Sequence, residues 1–215
     1  MMVFLLGFST LPSGGTAEDG GVEPLASGPG DLDGHRSLDG PIAIDSDTEL
    51  IAFAAHAGWA GNGTATAPYI VEGYEINASS GTFCIYVGNV SLHFVVKDNR
   101  LTQAGGYSDY WKNAGVAFDN VTNGSIEGNA LNRSTRFGEM CGIYLKRSTA
   151  IVTDNTIYRC RYGIYLEGSN ANITNNTMLD SELEAIITRT GGRIQICNNS
   201  MSQMNASANL DFRGT

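Results

Sequence analysis

From about residue 80 onward, apolar positions recur in short bursts rather than in long stripes. One burst reads apolar-x-x-Asn-x-apolar. It occurs at 96–101, 126–131, 152–157, 173–178 and 196–201, with Asn99, Asn129, Asn155, Asn176 and Asn199 at its fourth position. The asparagines are spaced 30, 26, 21 and 23 residues apart. The other burst is a small residue followed by a strict alternation: Cys84-Ile85-Tyr86-Val87, Gly115-Val116-Ala117-Phe118, Gly142-Ile143-Tyr144-Leu145, Gly163-Ile164-Tyr165-Leu166 and Ala185-Ile186-Ile187-Thr188. Period-two alternation is a strand signal, and it sends Ile143, Leu145, Ile164 and Leu166 to one face. Tyr144 and Tyr165 go to the other, so an outward file of Tyr86, Tyr144 and Tyr165 is expected, broken at Ala117; it either covers the sheet face, the favoured reading, or binds a glycan or another protein.

Strands this short cannot bury a face alone. Stacked coil upon coil at about 4.8 Å, they pair in parallel and share one continuous core. An asparagine at the same turn of every coil can bond its amide to those above and below, which satisfies buried polar groups along the stack. Asn99, Asn129, Asn155, Asn176 and Asn199 are therefore expected to form a structural ladder rather than a ligand set. The predicted fold is all-β, a right-handed parallel β-helix. A sandwich would not repeat Asn at one turn position. The Leu-x-x-Leu-x-Leu frame of a leucine-rich repeat is missing, and a propeller repeat would be about twice as long.

Upstream the period changes. Ser46-Asp47-Thr48-Glu49 has the form of a capping box. Leu50, Ile51, Phe53, Ala54 and Ala57 then follow at helical spacing until Gly58. The spacing predicts one amphipathic helix over about 47–57. It would close the N-terminal end of the solenoid, with Leu50, Ile51 and Phe53 as its lid, because an open end exposes strand edges and apolar core. Residues 16–40, rich in Gly, Pro, Asp and Ser, read as a disordered linker. The β-helix domain is expected over 41–215, with the last coil at Thr215 showing no cap.

Residues 1–15 place a short apolar run, Val3 to Phe8, before small residues. This has the form of an export signal without a basic leading region, and it is too short to span a bilayer. About ten Asn-x-Ser/Thr sequons lie between Asn62 and Asn205. Some would carry glycans in an exported protein, although an Asn- and Thr-rich turn protein also generates them by chance. The expected location is extracellular or the cell surface.

Composition narrows the partners. Charged residues are only 16% and glycines number 27, which suits many tight turns and not a helix bundle. The net charge of −9 leaves no basic stripe for nucleic acid and none for anionic lipid. Cys84, Cys141, Cys160 and Cys197 have no metal-binding spacing; their even count permits disulfides without assigning any. His35, His56 and His93 are scattered over linker, helix and strand, so no metal and no cofactor is expected.

The tandem Gly-Ile-Tyr-Leu and Asn-Asn-Thr coils resemble the repeats of the NosD-like, carbohydrate-binding-and-sugar-hydrolysis β-helix group. The lead-in Gly61-Asn62-Gly63-Thr64, then 68–76, is similar to the opening of many archaeal secreted members. The resemblance runs from Pro41 to the C-terminus. It implies the fold strongly and the chemistry weakly, since the group spans lyases, hydrolases, epimerases, copper-site maturation factors and surface-layer proteins.

Coil length locates candidate chemistry. The longer early steps predict loops at 102–114 and 132–140, emerging on one side of adjacent coils. Tyr107, Asp109, Tyr110 and Trp111 lie in the first, and Arg133, Arg136 and Glu139 in the second. Aromatic faces beside charges suit a sugar ligand, and the competing reading is that Tyr110 and Trp111 seal the core. Farther along come Arg159, Arg161, Asp180, Glu182 and Glu184, which a solvated rim explains. A glycosidase would need Asp109, Glu139 and Asp180 to converge. The expectation is an exported, non-enzymatic β-helix that binds a glycan or serves in the cell envelope, with self-association through the C-terminal end as a further partner. The alternatives are a polysaccharide lyase or glycoside hydrolase on the long-loop side, and a NosD-like maturation factor for a metalloenzyme.

Overall fold

Every coil turns on a residue that most side chains avoid. Just before each ladder position sits a left-handed residue: Asp98, Gly128, Asp154, Asn175 and Asn198, with φ between 51° and 64°. Asp, Asn and Gly tolerate that region best, which is why they recur there. The computed structural model describes residues 35–38, 40–78, 83–102, 113–132, 141–202 and 210–213. Within them the chain forms a parallel β-helix built from three sheets.

Sheet I stacks Arg36–Leu38, Tyr74–Asn77, Arg100–Thr102, Ala130–Asn132, Thr156–Tyr158, Thr177–Leu179 and Ser200–Ser202. Sheet II stacks Ile42–Ile44, Phe83–Gly88, Ala114–Asp119, Cys141–Lys146, Tyr162–Glu167, Ile186–Arg189 and Leu210–Arg213. Sheet III stacks Tyr69–Glu72, Phe94–Lys97, Gly124–Glu127, Thr149–Thr153, Asn170–Thr174 and Ile194–Cys197. Each coil passes from II to III to I, and all pairings between strands are parallel and in register. The interior is a file of aliphatic layers, with Ile143, Leu145, Val152, Ile157, Ile164, Leu166, Ile173 and Met178 buried.

The III-to-I corner holds the asparagines. The Asn155 backbone N–H donates to Asn176 Oδ1 at 3.0 Å, and Asn155 Oδ1 accepts from the backbone N–H of Asn129 at 2.9 Å. Asn155 Nδ2 donates to Ile126 O and Thr153 O, both at 2.9 Å. The same pattern links Asn99 to Asn129 and Asn176 to Asn199, and it ends upstream where the Tyr74 N–H donates to Asn99 Oδ1. A second, shorter file crosses the II-to-III corner: Ser148 Oγ accepts from Val121 N–H, and Ser169 Oγ accepts from Ser148 N–H.

Helix α1 (Asp47–Ala57) begins with Ser46 Oγ accepting from Glu49 N–H and ends on left-handed Gly58. It docks through Leu50 and Ala54, which are buried, and through Phe53, which packs against the core beside Trp59. Asp47 ties its first turn to the coil below by accepting from Ser91 N–H, Ser91 Oγ and Leu92 N–H.

Two expectations change. Arg36–Leu38, inside the segment read as linker, is a strand paired with Tyr74–Asn77. It has no apolar alternation to betray it, because it is a short edge strand held mainly by backbone bonds. Ile51 is 48% exposed and is not part of the lid, since the docked stripe is only as wide as Leu50 and Ala54 with Phe53 at its margin. Tyr144 and Tyr165 leave the interior as the alternation requires, and they cover sheet II in a second apolar layer.

Candidate functional site

That second layer borders the I-to-II corner, where the coils differ most in length. The turn is tight at 159–161, where Arg159 adopts a φ of 56°, while the corresponding stretches of sequence in two earlier coils, 103–112 and 133–140, are longer. All seven residues considered for ligand binding, Tyr107, Asp109, Tyr110, Trp111, Arg133, Arg136 and Glu139, lie in those segments, outside the described residues. Their points of attachment are described. Thr102 pairs with Asn132 in sheet I, and Ala114 pairs with Cys141 in sheet II, so the two insertions leave and re-enter neighbouring strands at matching positions.

The face of sheet II beside them is aromatic. Tyr86, Ala117, Tyr144, Tyr165 and Ile187 stand in one register file. The Tyr144 and Tyr165 rings stack at 5.3 Å, and Tyr162 meets Tyr165 edge-on at 5.5 Å. Tyr144 donates its hydroxyl to Glu167 Oε2 at 2.6 Å. Burial and that carboxylate push the Tyr144 hydroxyl far above the ordinary phenol range, so it stays a donor. Burial, with Asp45 beside it, likewise raises Tyr86. Arg189 lies 5.8 Å over the Tyr165 ring and Arg161 5.9 Å over Tyr162.

The next register file carries Asp119, Lys146, Glu167 and Arg189, charges of alternating sign on neighbouring strands. Asp119 also accepts from Arg147 at 2.7 Å, and Asp180 from Arg159 at 3.1 Å. Asp119, Glu167 and Asp180 are thus engaged in holding coils together. With Tyr144 only 2% exposed, the sheet face is a packed layer and not an open tyrosine platform. Recognition here would fall to the residues of the two insertions.

A different face is open. On the outside of sheet III an exposed groove of about 410 Å³ is lined by residues including His93, Ser125, Thr149, Ile151, Asn172 and Arg193. Sequence reasoning passed over it: Ser125, Thr149 and Asn172 face outward here, but the same strands also turn Glu72, Lys97 and Glu127 outward farther along, so the pattern reads as a solvated face.

One family model matches residues 53–210, and it is described as periplasmic copper-binding protein (NosD). No curated protein and no solved structure matches the chain. The donor set described does not fit copper. Among the described residues no three His, Cys, Asp or Glu side chains gather around one point. Cys84, Cys141 and Cys160 are buried and Cys197 is exposed, while His56 lies on α1 and His93 beside sheet III. Copper sites are built from clustered imidazole, thiolate and thioether groups, and these residues stand on separate elements.

Proposed function

The chain belongs to the NosD family, and from that premise we propose that it works outside the cytoplasm as a non-enzymatic β-helix that binds carbohydrate, or serves in the cell envelope, through the I-to-II corner. The family is described as periplasmic, and among the described residues no helix is long and apolar enough to cross a membrane. The observation that carries the site is the register at the roots of the two insertions, Thr102 with Asn132 and Ala114 with Cys141. Loops rooted one coil apart, about 4.8 Å, can share one surface. Solenoids place recognition on such loops because packing fixes the coil body.

Trp111, Tyr107 and Tyr110 supply aromatic faces to a sugar there, and Arg133 and Arg136 suit an acidic one through paired hydrogen bonds. The absence of catalysis is supported by the engagement of Asp119, Glu167 and Asp180 in bonds between coils. A glycan array with the purified protein tests the reading. Hits retained without new reducing ends or unsaturated uronates support a binder. Turnover of a hit makes the protein an enzyme, and an array without hits removes the carbohydrate reading.

A further inference from the structure

The sequons are not equivalent in the fold. An acceptor asparagine belongs on a surface loop, with its amide nitrogen open to a bulky donor. At the II-to-III corner three asparagines fail that condition. Asn89 Nδ2 donates to Asp45 Oδ1 at 2.8 Å, and Asn120 Nδ2 donates to Asn89 Oδ1 at 2.9 Å. Asn123 Nδ2 donates twice, to Ser91 O at 2.7 Å and to Thr122 Oγ1 at 3.4 Å. Three more are built into the coils. Asn172 lies in a strand paired on both sides, and the middle residue of its sequon, Ile173, is fully buried. Asn175 and Asn198 take left-handed corners, and their middle residues, Asn176 and Asn199, are rungs of the ladder.

Asn62 differs. It is exposed in the turn between α1 and sheet III, outside every coil strand. Gly61 and Gly63, with φ of 99° and 81°, shape that turn, and a Cβ at Gly63 would come 2.9 Å from the Tyr69 ring. Backbone bonds hold it. The N–H groups of Asn62 and Gly63 donate to Ala67 O at 2.8 and 3.1 Å, and Gly63 O accepts from His93 N–H at 2.9 Å. The Asn62 side chain takes no part in those bonds. Its Oδ1 accepts from Thr64 Oγ1 at 2.8 Å and from Thr64 N–H at 3.2 Å, while its Nδ2 donates to none of the described residues. The hydroxyl that the sequon requires and an open amide nitrogen thus stand together at the surface, since Thr64 is exposed as well.

We propose that Asn62 is the residue of the folded chain that accepts an N-linked glycan, with a lipid-phosphate-linked oligosaccharide as donor. Asn62 Nδ2 forms the bond to C1 of the sugar and gives up one proton to a base of the transferase. The C1–O bond to the phosphate breaks, and the lipid phosphate leaves with the electron pair. The two donors on Oδ1 draw charge onto that oxygen, which makes the Nδ2 proton easier to lose. The inference rests on the exported location proposed above, and it is independent of glycan recognition at the I-to-II corner.

The test uses purified protein, so the site is examined apart from the location. The full chain, made in a host without N-glycosylation, is incubated with a single-subunit oligosaccharyltransferase and a lipid-linked oligosaccharide. Glycopeptide mass spectrometry reads the occupancy of each sequon, and a tryptic digest of the same chain is the unfolded reference. In the folded chain Asn62 should be modified at least about tenfold more than Asn89, Asn120 or Asn123, whose amides come free only when a coil opens. In the digest that preference should vanish. Asn62→Gln should melt like the parent, because the side chain holds nothing together. Asn62 left bare in the folded chain overturns the proposal, as does equal occupancy of Asn120 and Asn123 there. A preference for Asn62 that persists in the digest also overturns it, since sequence and not fold would then select the site. A chain modified at Asn62 in this assay but bare when isolated from its own cells supports the site and counts against the exported location.

Discussion

Replacing Asn155 by alanine removes one rung from the middle of the asparagine file, and the structure sets the cost. Asn155 Oδ1 accepts the Asn129 backbone N–H, a buried donor with no other described partner. Orphaning such a group costs about 1–3 kcal/mol. The lost amide also leaves Ile126 O without its side-chain donor and opens a small void in a site with 0% exposure. Together these put the loss at about 2–4 kcal/mol. The control is Asn199→Ala in the last described coil. Asn199 is only half-buried and water can replace its bonds to Asn176, so about 1 kcal/mol or less is expected. Urea unfolding followed by circular dichroism reads both, with unchanged slopes showing that the same surface is exposed. Equal midpoints for Asn155→Ala and the parent, or a larger loss for Asn199→Ala, would refute the reasoning.

Other perturbations probe other parts of the molecule. Leu50→Asp buries an unpaired charge under α1 and should cost several kcal/mol in thermal melts, while Ile51→Asp, on the exposed side, should stay within about 0.5 kcal/mol. Gly163→Ala should destabilise or prevent folding, because its Cβ would lie 2.4 Å from Ala185 O; a parent-like melting curve would contradict the close approach. Burial acts to raise the Asp47 carboxyl, but the Ser91 hydroxyl and the N–H groups of Ser91 and Leu92 hold it below its ordinary value. A depressed folded pKa means stability present above the unfolded value, about 3.9, and lost as pH falls through the folded one. Asp47→Asn should therefore trail the parent at neutral pH, and the gap should close in acid; a gap independent of pH would contradict this. Tyr144→Phe removes one bond to Glu167 and should cost about 1 kcal/mol by urea melts with the fold retained.

The coil architecture was legible because two independent periods agree. Alternation in segments such as 142–145 gives the strand, and the recurring Asn gives the corner at which coils superpose. Alternation separates two faces, though, and does not say which of them meets water. Tyr144 and Tyr165 share the outer face with Cys141 and Ile187, and a second apolar layer takes them in. Helical spacing likewise offered Leu50, Ile51 and Phe53 alike as a lid, while a short helix laid on a solenoid end contacts it along a narrower line. Arg36–Leu38 pairs through its backbone, which leaves no side-chain pattern to read. The candidate loop site was located from coil length alone, and its side chains lie outside the described residues.

The central functional claim is that the two long loops recognise a glycan and do not merely cover the coils beneath them. Trp111→Ala decides it when retention of a glycan-array hit and the melting temperature are measured on the same preparation. The account predicts that retention is abolished and the melting temperature stays within a few degrees of the parent. A protein that melts far lower and still retains the glycan would contradict it, because Trp111 would then be sealing the β-helix and not reading a sugar.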